Sequence, residues 1–427
     1  MNVVKLKSYE NHSLALTYPS NLHKREFPRL NMNRRNRPVI SREGWALGKK
    51  SLNFPNYLSL ETGSGAICEW LKLKGYSAKV SSAGKIAKQL IESLGGLSKT
   101  KLIADIDTIE LLNKMATQEV TQGPVGRNVQ RQFEGRTVVS GRWEQLLKKR
   151  NYGFWNITPD GFAKKGILKL GLGVQCPNCT FNNWYDLDTL NYSPKCERCL
   201  KTYNLPQGSP LPRWKYRVTG PFSVPNYAEG SYCVALTLEF FRSKLSSSHD
   251  VGMTYTTGLD LETSDKQLQE VDLAFWHDTK RMYGMNGEPK FAVGECKSFG
   301  KEAFTKKDID SLKAVATQIP HTLLVLSAMK DKFSTKEKEL FSTLVKWGWK
   351  KIHGKMRAPV IILSGNELFS DHSLTRNWKN LGPPFSDFSD PLYFRTLEEF
   401  ARITQIIHLG LDYYDEFRKS KSIEKTM

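Results

Sequence analysis

Apolar and polar positions in the C-terminal half predict strands separated by amphipathic helices. Met253–Leu261, Val271–Trp276 and Phe291–Lys297 read as three successive strands, with Gly284-Met-Asn-Gly287 as the turn between the last two. Thr305-Lys-Lys-Asp308 has the form of a capping box, and Ile309, Leu312, Val315, Ala316 and Ile319 then recur at helical spacing. Thr322–Leu326 predicts a fourth strand. Ser334-Thr-Lys-Glu337 opens a second capped helix through Leu340, Leu344 and Trp347. Pro359–Leu363 predicts a fifth strand and Leu397–Leu411 a closing helix. Val234–Phe241 fits either a helix or an alternating strand.

The N-terminal half has a different rhythm. Residues 1–60 show no clear apolar period and read as an irregular basic arm, with Arg34, Arg35 and Arg37 among Asn and Pro residues. Such an arm suits phosphates or a minor groove. Residues 62–150 show helical spacing at Ile67, Trp70 and Leu71, at Ile86, Leu90, Ile91 and Leu94, and at Leu102, Ile106, Ile109 and Leu112. Trp143, Leu146 and Leu147 predict a further short helix. This pattern favours a plain helical bundle over a winged-helix-like module. Short strands flank cysteines between 170 and 218. The expected fold is therefore α+β and multidomain. A basic arm covers 1–60, a helical domain 61–168, a four-cysteine zinc ribbon 169–220, and an α/β core with a central mixed sheet 230–427.

Charge sharpens this division. The 427-residue chain carries a net +20, with a pI near 9.5, which favours a polyanionic partner. Residues 1–160 hold 26 basic and 13 acidic groups, whereas residues 251–427 hold 26 and 24. The grip on nucleic acid is thus expected in the first part of the chain. No apolar run has the ~18–20 residues of a membrane span, and the first residues lack a signal-peptide core. A reduced, cytoplasmic setting is expected, without membrane contact.

Cys176-Pro-Asn-Cys179 and Cys196-Glu-Arg-Cys199 form two paired knuckles. Four thiolates at this spacing complete a tetrahedral Zn²⁺ shell, which is closed and so structural. Trp184, Tyr185, Tyr192, Trp214 and Tyr216 lie around the knuckles, interleaved with basic residues. Aromatic and basic groups together can stack bases and hold phosphates. Trp184 and Trp214 read more simply as ribbon packing, and Lys195 and Arg198 as candidate nucleic-acid contacts.

Side-chain alternation puts Glu270 and Asp272 on one face of a strand, and Glu295 and Lys297 on one face of the next. A hairpin of the two would bring Asp272, Glu295 and Lys297 to one edge. Two carboxylates suit Mg²⁺ or Mn²⁺, which prefer oxygen ligands. The metal would lower the pKa of a bound water, and Lys297 would orient or help deprotonate that water. Cys296, between them, should point to the opposite face.

The order of strand, strand with Asp272, strand with Glu295-Cys296-Lys297, helix and strand resembles the PD-(D/E)xK, or restriction-endonuclease-like, nuclease superfamily over roughly residues 230–365. Val271 stands where the motif's proline would be. The resemblance implies a restriction-endonuclease-like core and Mg²⁺-dependent phosphodiester hydrolysis. Asp272 and Glu295 would be the metal-binding acids and Lys297 the catalytic lysine. It also makes Glu239 a candidate helix-borne acid and Glu270 a candidate supplementary ligand. Lys313 and Gln318 read as a solvated helix face.

No Walker loop, Rossmann fingerprint or nucleophile elbow is present in the sequence, so an ATP-driven motor would require a separate partner. The expected function is a metal-dependent endonuclease acting on DNA, by analogy a prokaryotic restriction or antiviral defence effector. Nothing in the residues separates DNA from RNA. A homodimer would supply two active sites for double-strand cutting. The alternative is a nucleic-acid-binding or assembly protein with a nuclease-like fold that does not cut.

Overall fold

The computed structural model describes residues 2–6, 14–17, 38–41, 44–47, 58–60, 62–117, 133–134, 137–150, 157–205, 212–245, 253–263, 268–277, 290–299, 302–370, 373–393 and 395–416. They form two compact units, Met1–Lys88 with Cys233–Met427, and Gln89–Tyr232. The predicted turn at 284–287 lies outside the described residues, as do Arg34, Arg35 and Arg37.

The first unit begins with five short strands: β1 (Asn2–Leu6), β2 (Leu14–Thr17), β3 (Pro38–Ser41), β4 (Gly44–Leu47) and β5 (Leu58–Leu60). β1 pairs with β2 and β5, and β3 pairs with β4. This corrects the expectation of an irregular arm. Strands of three to five residues are too short to establish a visible period. Then come α1 (Gly63–Leu73), β6 (Tyr76–Val80) and α2 (Ser82–Leu94), the last crossing the boundary between the units.

The second unit holds α3 (Ile106–Ala116), β7 (Phe133–Glu134), β8 (Thr137–Val139), α4 (Ser140–Arg150) and α5 (Pro159–Lys164). β9 (Leu168–Gln175), β10 (Asn182–Asp186), β11 (Arg213–Val218) and the short α6 (Pro225–Glu229) follow. Its sheet runs β10-β9-β11-β8-β7. The expected helical bundle, separate from the ribbon, is thus corrected. Lys215 pairs with Val139, so the strands that flank the cysteines and the β7–β8 hairpin share one sheet.

The chain returns to the first unit through α7 (Ser231–Glu239), which resolves the ambiguous segment as a helix. β12 (Met253–Thr263), β13 (Leu268–His277) and β14 (Lys290–Lys297) follow, then α8 (Lys306–Gln318), β15 (Leu323–Ala328) and α9 (Thr335–Trp349). Next come the small hairpin β16 (Lys351–Ile352) and β17 (Lys355–Met356), β18 (Val360–Leu363), α10 (Gly365–Leu368), α11 (Leu374–Leu381) and α12 (Leu397–Leu409).

The central sheet is mixed, in the order β18-β15-β14-β13-β12-β6. β14, β15 and β18 are parallel neighbours, and α8 and α9 supply the crossovers that parallel pairing requires. β15, Leu-Leu-Val-Leu-Ser-Ala, is buried throughout, as a strand covered on both faces must be. On one face Ala274, Trp276, Phe291 and Val293 join Ile309, Leu312 and Val315 of α8 and Phe341 and Leu344 of α9 in a single core. The other face meets α7 and the turn after it. There Phe275 lies 4.7 Å from Phe241, and Thr237 hydrogen-bonds Ser327 at 2.7 Å. At the β18 edge, α12 substitutes for a missing strand. The Ile362 N–H donates to Thr404 at 3.2 Å, and Gln405 donates to the Val360 carbonyl at 2.7 Å.

β6 departs from the expected helical domain. It follows Gly75, whose φ of 90° reverses the chain after α1, and pairs along β12 from Val80↔Leu259 to Tyr76↔Thr263. Residues placed by sequence in a helical domain thus complete the C-terminal sheet. Past β6 the backbone of Gly84 abuts Gly258 so closely that a Cβ at 84 would overlap the Gly258 carbonyl. Gly84→Ala is expected to lower stability by about 1–3 kcal/mol in thermal melts. Gly141→Ala, with open space around it in α4, should be neutral or stabilising.

His277 is buried on β13, with Nε2 3.1 Å from the Phe241 carbonyl. Burial lowers its pKa from 6.5 to about 4, against the contrary pull of that carbonyl. The unfolded chain therefore binds this proton more tightly than the folded one. The neutral ring's contribution is full above pH 6.5 and is lost as the pH falls toward 4. The loss should be on the order of 3 kcal/mol. His277→Gln should flatten the pH dependence of urea-derived stability in that window, and an unchanged slope would exclude His277 as its source.

Candidate active site and metal centre

The sequence-predicted acids and lysine meet where two central strands part. β13 and β14 pair from His277↔Lys290 to Leu273↔Gly294. One residue further, the Asp272 side chain takes over, and its Oδ2 accepts the Cys296 N–H at 2.7 Å. The carboxylate thus satisfies a backbone donor at the point of divergence. Glu295 and Lys297 follow on β14, with Lys297 Nζ 2.7 Å from Glu295 Oε1. The same ammonium lies 3.3 Å from Asp308 Oδ1 in the first turn of α8, and 5.9 Å from the Phe304 ring. Cys296 points away, as alternation requires, with its Sγ 3.7 Å from Thr237.

Burial dominates the electrostatics of this cluster. It pushes the Asp272 carboxyl up to about 6, with the Cys296 N–H and Lys297 pulling the other way. Burial and then the Asp272 charge hold Glu295 well above the usual carboxylate range. Burial would lower Lys297, but Glu295 and Asp308 outweigh it and hold the ammonium above its ordinary value. The site thus holds two desolvated carboxylates, with the Asp272 charge raising Glu295 further.

Asp308 is the residue that sequence reasoning missed. The sequence shows it only as a helix cap, and its approach to Lys297 depends on how α8 folds back on β14. Glu270 is exposed on β13, cross-strand from Asp260, and close enough for its charge to raise the Asp272 pKa. Glu239 ends α7, the helix whose Thr237 contacts the Cys296 side of the sheet, and it lies 3.8 Å from Arg242. The structure therefore brings Asp308, and not Glu239, to Lys297. Gln318 donates to the Lys74 carbonyl at 3.0 Å, tying α8 to the end of α1.

The cysteines form the second site. The ligand atoms of Cys176, Cys179, Cys196 and Cys199 all lie within 4.8 Å of one another and can hold a metal ion such as zinc. The Cys176–Cys199 and Cys179–Cys196 Sγ separations are 3.7 and 3.6 Å. A Zn–S bond of about 2.3 Å implies a tetrahedral edge of about 3.8 Å, whereas a disulfide needs about 2.05 Å. The spacing thus fits four thiolates around one ion. The two knuckles repeat each other. Cys176 N–H donates to Phe181 and Thr180 N–H to Cys176, as Cys196 N–H does to Lys201 and Leu200 N–H to Cys196. Thr180 and Leu200 occupy the left-handed region at φ 57° and 61°.

Around the thiolates, Asn183 orients the second knuckle. Its amide donates to Cys196 Sγ at 3.6 Å and its oxygen accepts the Glu197 N–H at 2.9 Å. Burial pushes the Cys196 thiol up, but the Cys199 and Arg198 N–H groups and Asn183 together bring it down to about 6. Trp184 packs across Gly171, where a Cβ would overlap the indole, and donates to the Lys215 carbonyl at 3.1 Å. Its role is packing, whereas Trp214 is 49% exposed. Lys195 and Arg198 are both exposed on the second knuckle. Among the described residues, no helix is long and apolar enough to cross a membrane.

Elemental analysis should find about one zinc per chain in wild-type protein. Cys176→Ser/Cys196→Ser should lose it, and full zinc occupancy in that variant would refute the ligand set. No family model matches the chain, and comparisons with curated proteins and with solved structures return no match.

Proposed function

We propose that the protein is a metal-dependent endonuclease that hydrolyses phosphodiester bonds in DNA. One observation carries this reading. Asp272, Glu295 and Lys297 converge at the parting of β13 and β14, with the Cys296 N–H on Asp272 and the lysine on Glu295, both at 2.7 Å. The arrangement resembles the acid, acid and lysine set of PD-(D/E)xK nucleases, and the mixed sheet with a helix after the lysine strand agrees with that core.

Each group has a definable task. Asp272 and Glu295 supply anionic oxygens for Mg²⁺ or Mn²⁺. The cation, when bound, offsets phosphate charge and lowers the pKa of its water. Lys297, held by two carboxylates, stays an ammonium and so donates hydrogen bonds, either to the attacking water or to charge developing on the phosphate. The zinc-ribbon unit serves as a DNA-positioning element, with exposed Lys195 and Arg198 as phosphate contacts. A restriction or antiviral defence role, a homodimer and a separate ATPase partner are compatible extensions of this reading.

Purified protein should cut plasmid or single-stranded DNA with Mg²⁺ or Mn²⁺ and not with EDTA. Asp272→Ala and Lys297→Ala should each reduce cutting at least ~10²-fold. Cutting that survives both substitutions would dismiss this site. DNA binding without cutting under every metal would favour a nucleic-acid-binding protein that retains the fold, and cutting confined to RNA would reassign the substrate.

A further inference from the structure

Asp308 lies outside the residues that the superfamily resemblance assigns. It is the third residue of α8, where Thr305 donates its N–H and its hydroxyl to Oδ2 at 2.6 and 2.9 Å. Those two bonds fix the orientation of the carboxylate. They leave Oδ1 for Lys297 Nζ, at 3.3 Å. Lys297 therefore has two anionic partners, and only Glu295 belongs to the pair that would hold a divalent cation. A cation on Glu295 repels the ammonium and competes for the same carboxylate.

We propose that Asp308 is a positioning residue, which retains Lys297 beside the site when Glu295 engages the divalent cation. The capping box thus serves two ends, starting α8 and anchoring the lysine. This inference rests on the reading of Asp272 and Glu295 as cation ligands.

The test is a double-substitution cycle on the full-length chain, read by calorimetric titration with Mn²⁺. Asp308→Asn keeps an oxygen for Thr305 and removes the charge. Alone, it should weaken Mn²⁺ binding roughly tenfold, because Lys297 then falls wholly on Glu295. In a Lys297→Met background the same substitution should change the affinity less than about twofold. Equal losses in both backgrounds would reduce Asp308 to a distant charge and overturn the proposal alone. Failure of the wild type to bind Mn²⁺ would overturn the cation-site reading and the proposal with it. In cleavage assays Asp308→Asn should lower kcat with KM nearly unchanged, and a purely structural cap would show a lower melting temperature and unaltered Mn²⁺ affinity. Asp308→Ser, which also keeps a short polar side chain at the cap, is the second variant if the Asn form folds poorly.

Discussion

The hydrogen bond from the Cys296 N–H to Asp272 is the constraint on which the site depends. β13 and β14 are paired up to Leu273↔Gly294. Beyond that point a side chain, not a neighbouring backbone, satisfies the donor. A carboxylate in this role is fixed in position and sunk among strands at once. Burial then raises its proton affinity, and the next carboxylate along, Glu295, is raised further by its presence. The cost of burying the two acids is offset in part by Lys297, which pairs with Glu295.

The surrounding sheet makes that arrangement rigid. β14 is flanked by β13 on one side and by buried β15 on the other, so Glu295 and Lys297 project from a central strand. α8 is the next helix after this strand and carries Asp308 on its first turn. The same core that holds α8 down, through Ile309, Leu312 and Val315, sets the Lys297–Asp308 distance. The β18 edge, which would otherwise expose backbone groups, is closed by Thr404 and Gln405 of α12. The cysteine cluster solves a different problem. The buried patch around Val174, Cys176, Cys196 and Tyr203 is small, and a bound metal would supply cohesion that so few apolar residues cannot.

Much of this was legible in the chain. The strands of 253–261, 271–276, 291–297, 322–326 and 359–363 are present in the structure because their apolar runs are bounded by capping and turn residues. The four-cysteine cluster followed from spacing alone, since each knuckle brings two thiolates together by local geometry. Alternation placed Glu295 and Lys297 together and turned Cys296 away. Less visible were β6, only five residues long, and the short N-terminal strands, because such lengths carry no reliable period. The β7–β8 hairpin and the ribbon strands read as separate domains in the sequence because their pairing joins residues far apart along the chain.

Local chemistry was therefore determined by the sequence: which residues can bind metal, which faces they share, where helices start. Tertiary structure decided what joins them from further along the chain. Asp272 comes to the lysine strand by the expected pairing of β13 with β14, whereas Asp308 reaches it from a helix, by a contact no local rule encodes. Glu239, equally acidic and equally near in sequence pattern, ends on the helix packed against the Cys296 side. The physical reason is that capping, alternation and knuckle geometry act over a few residues, whereas strand order and helix docking are set by burial of the whole core.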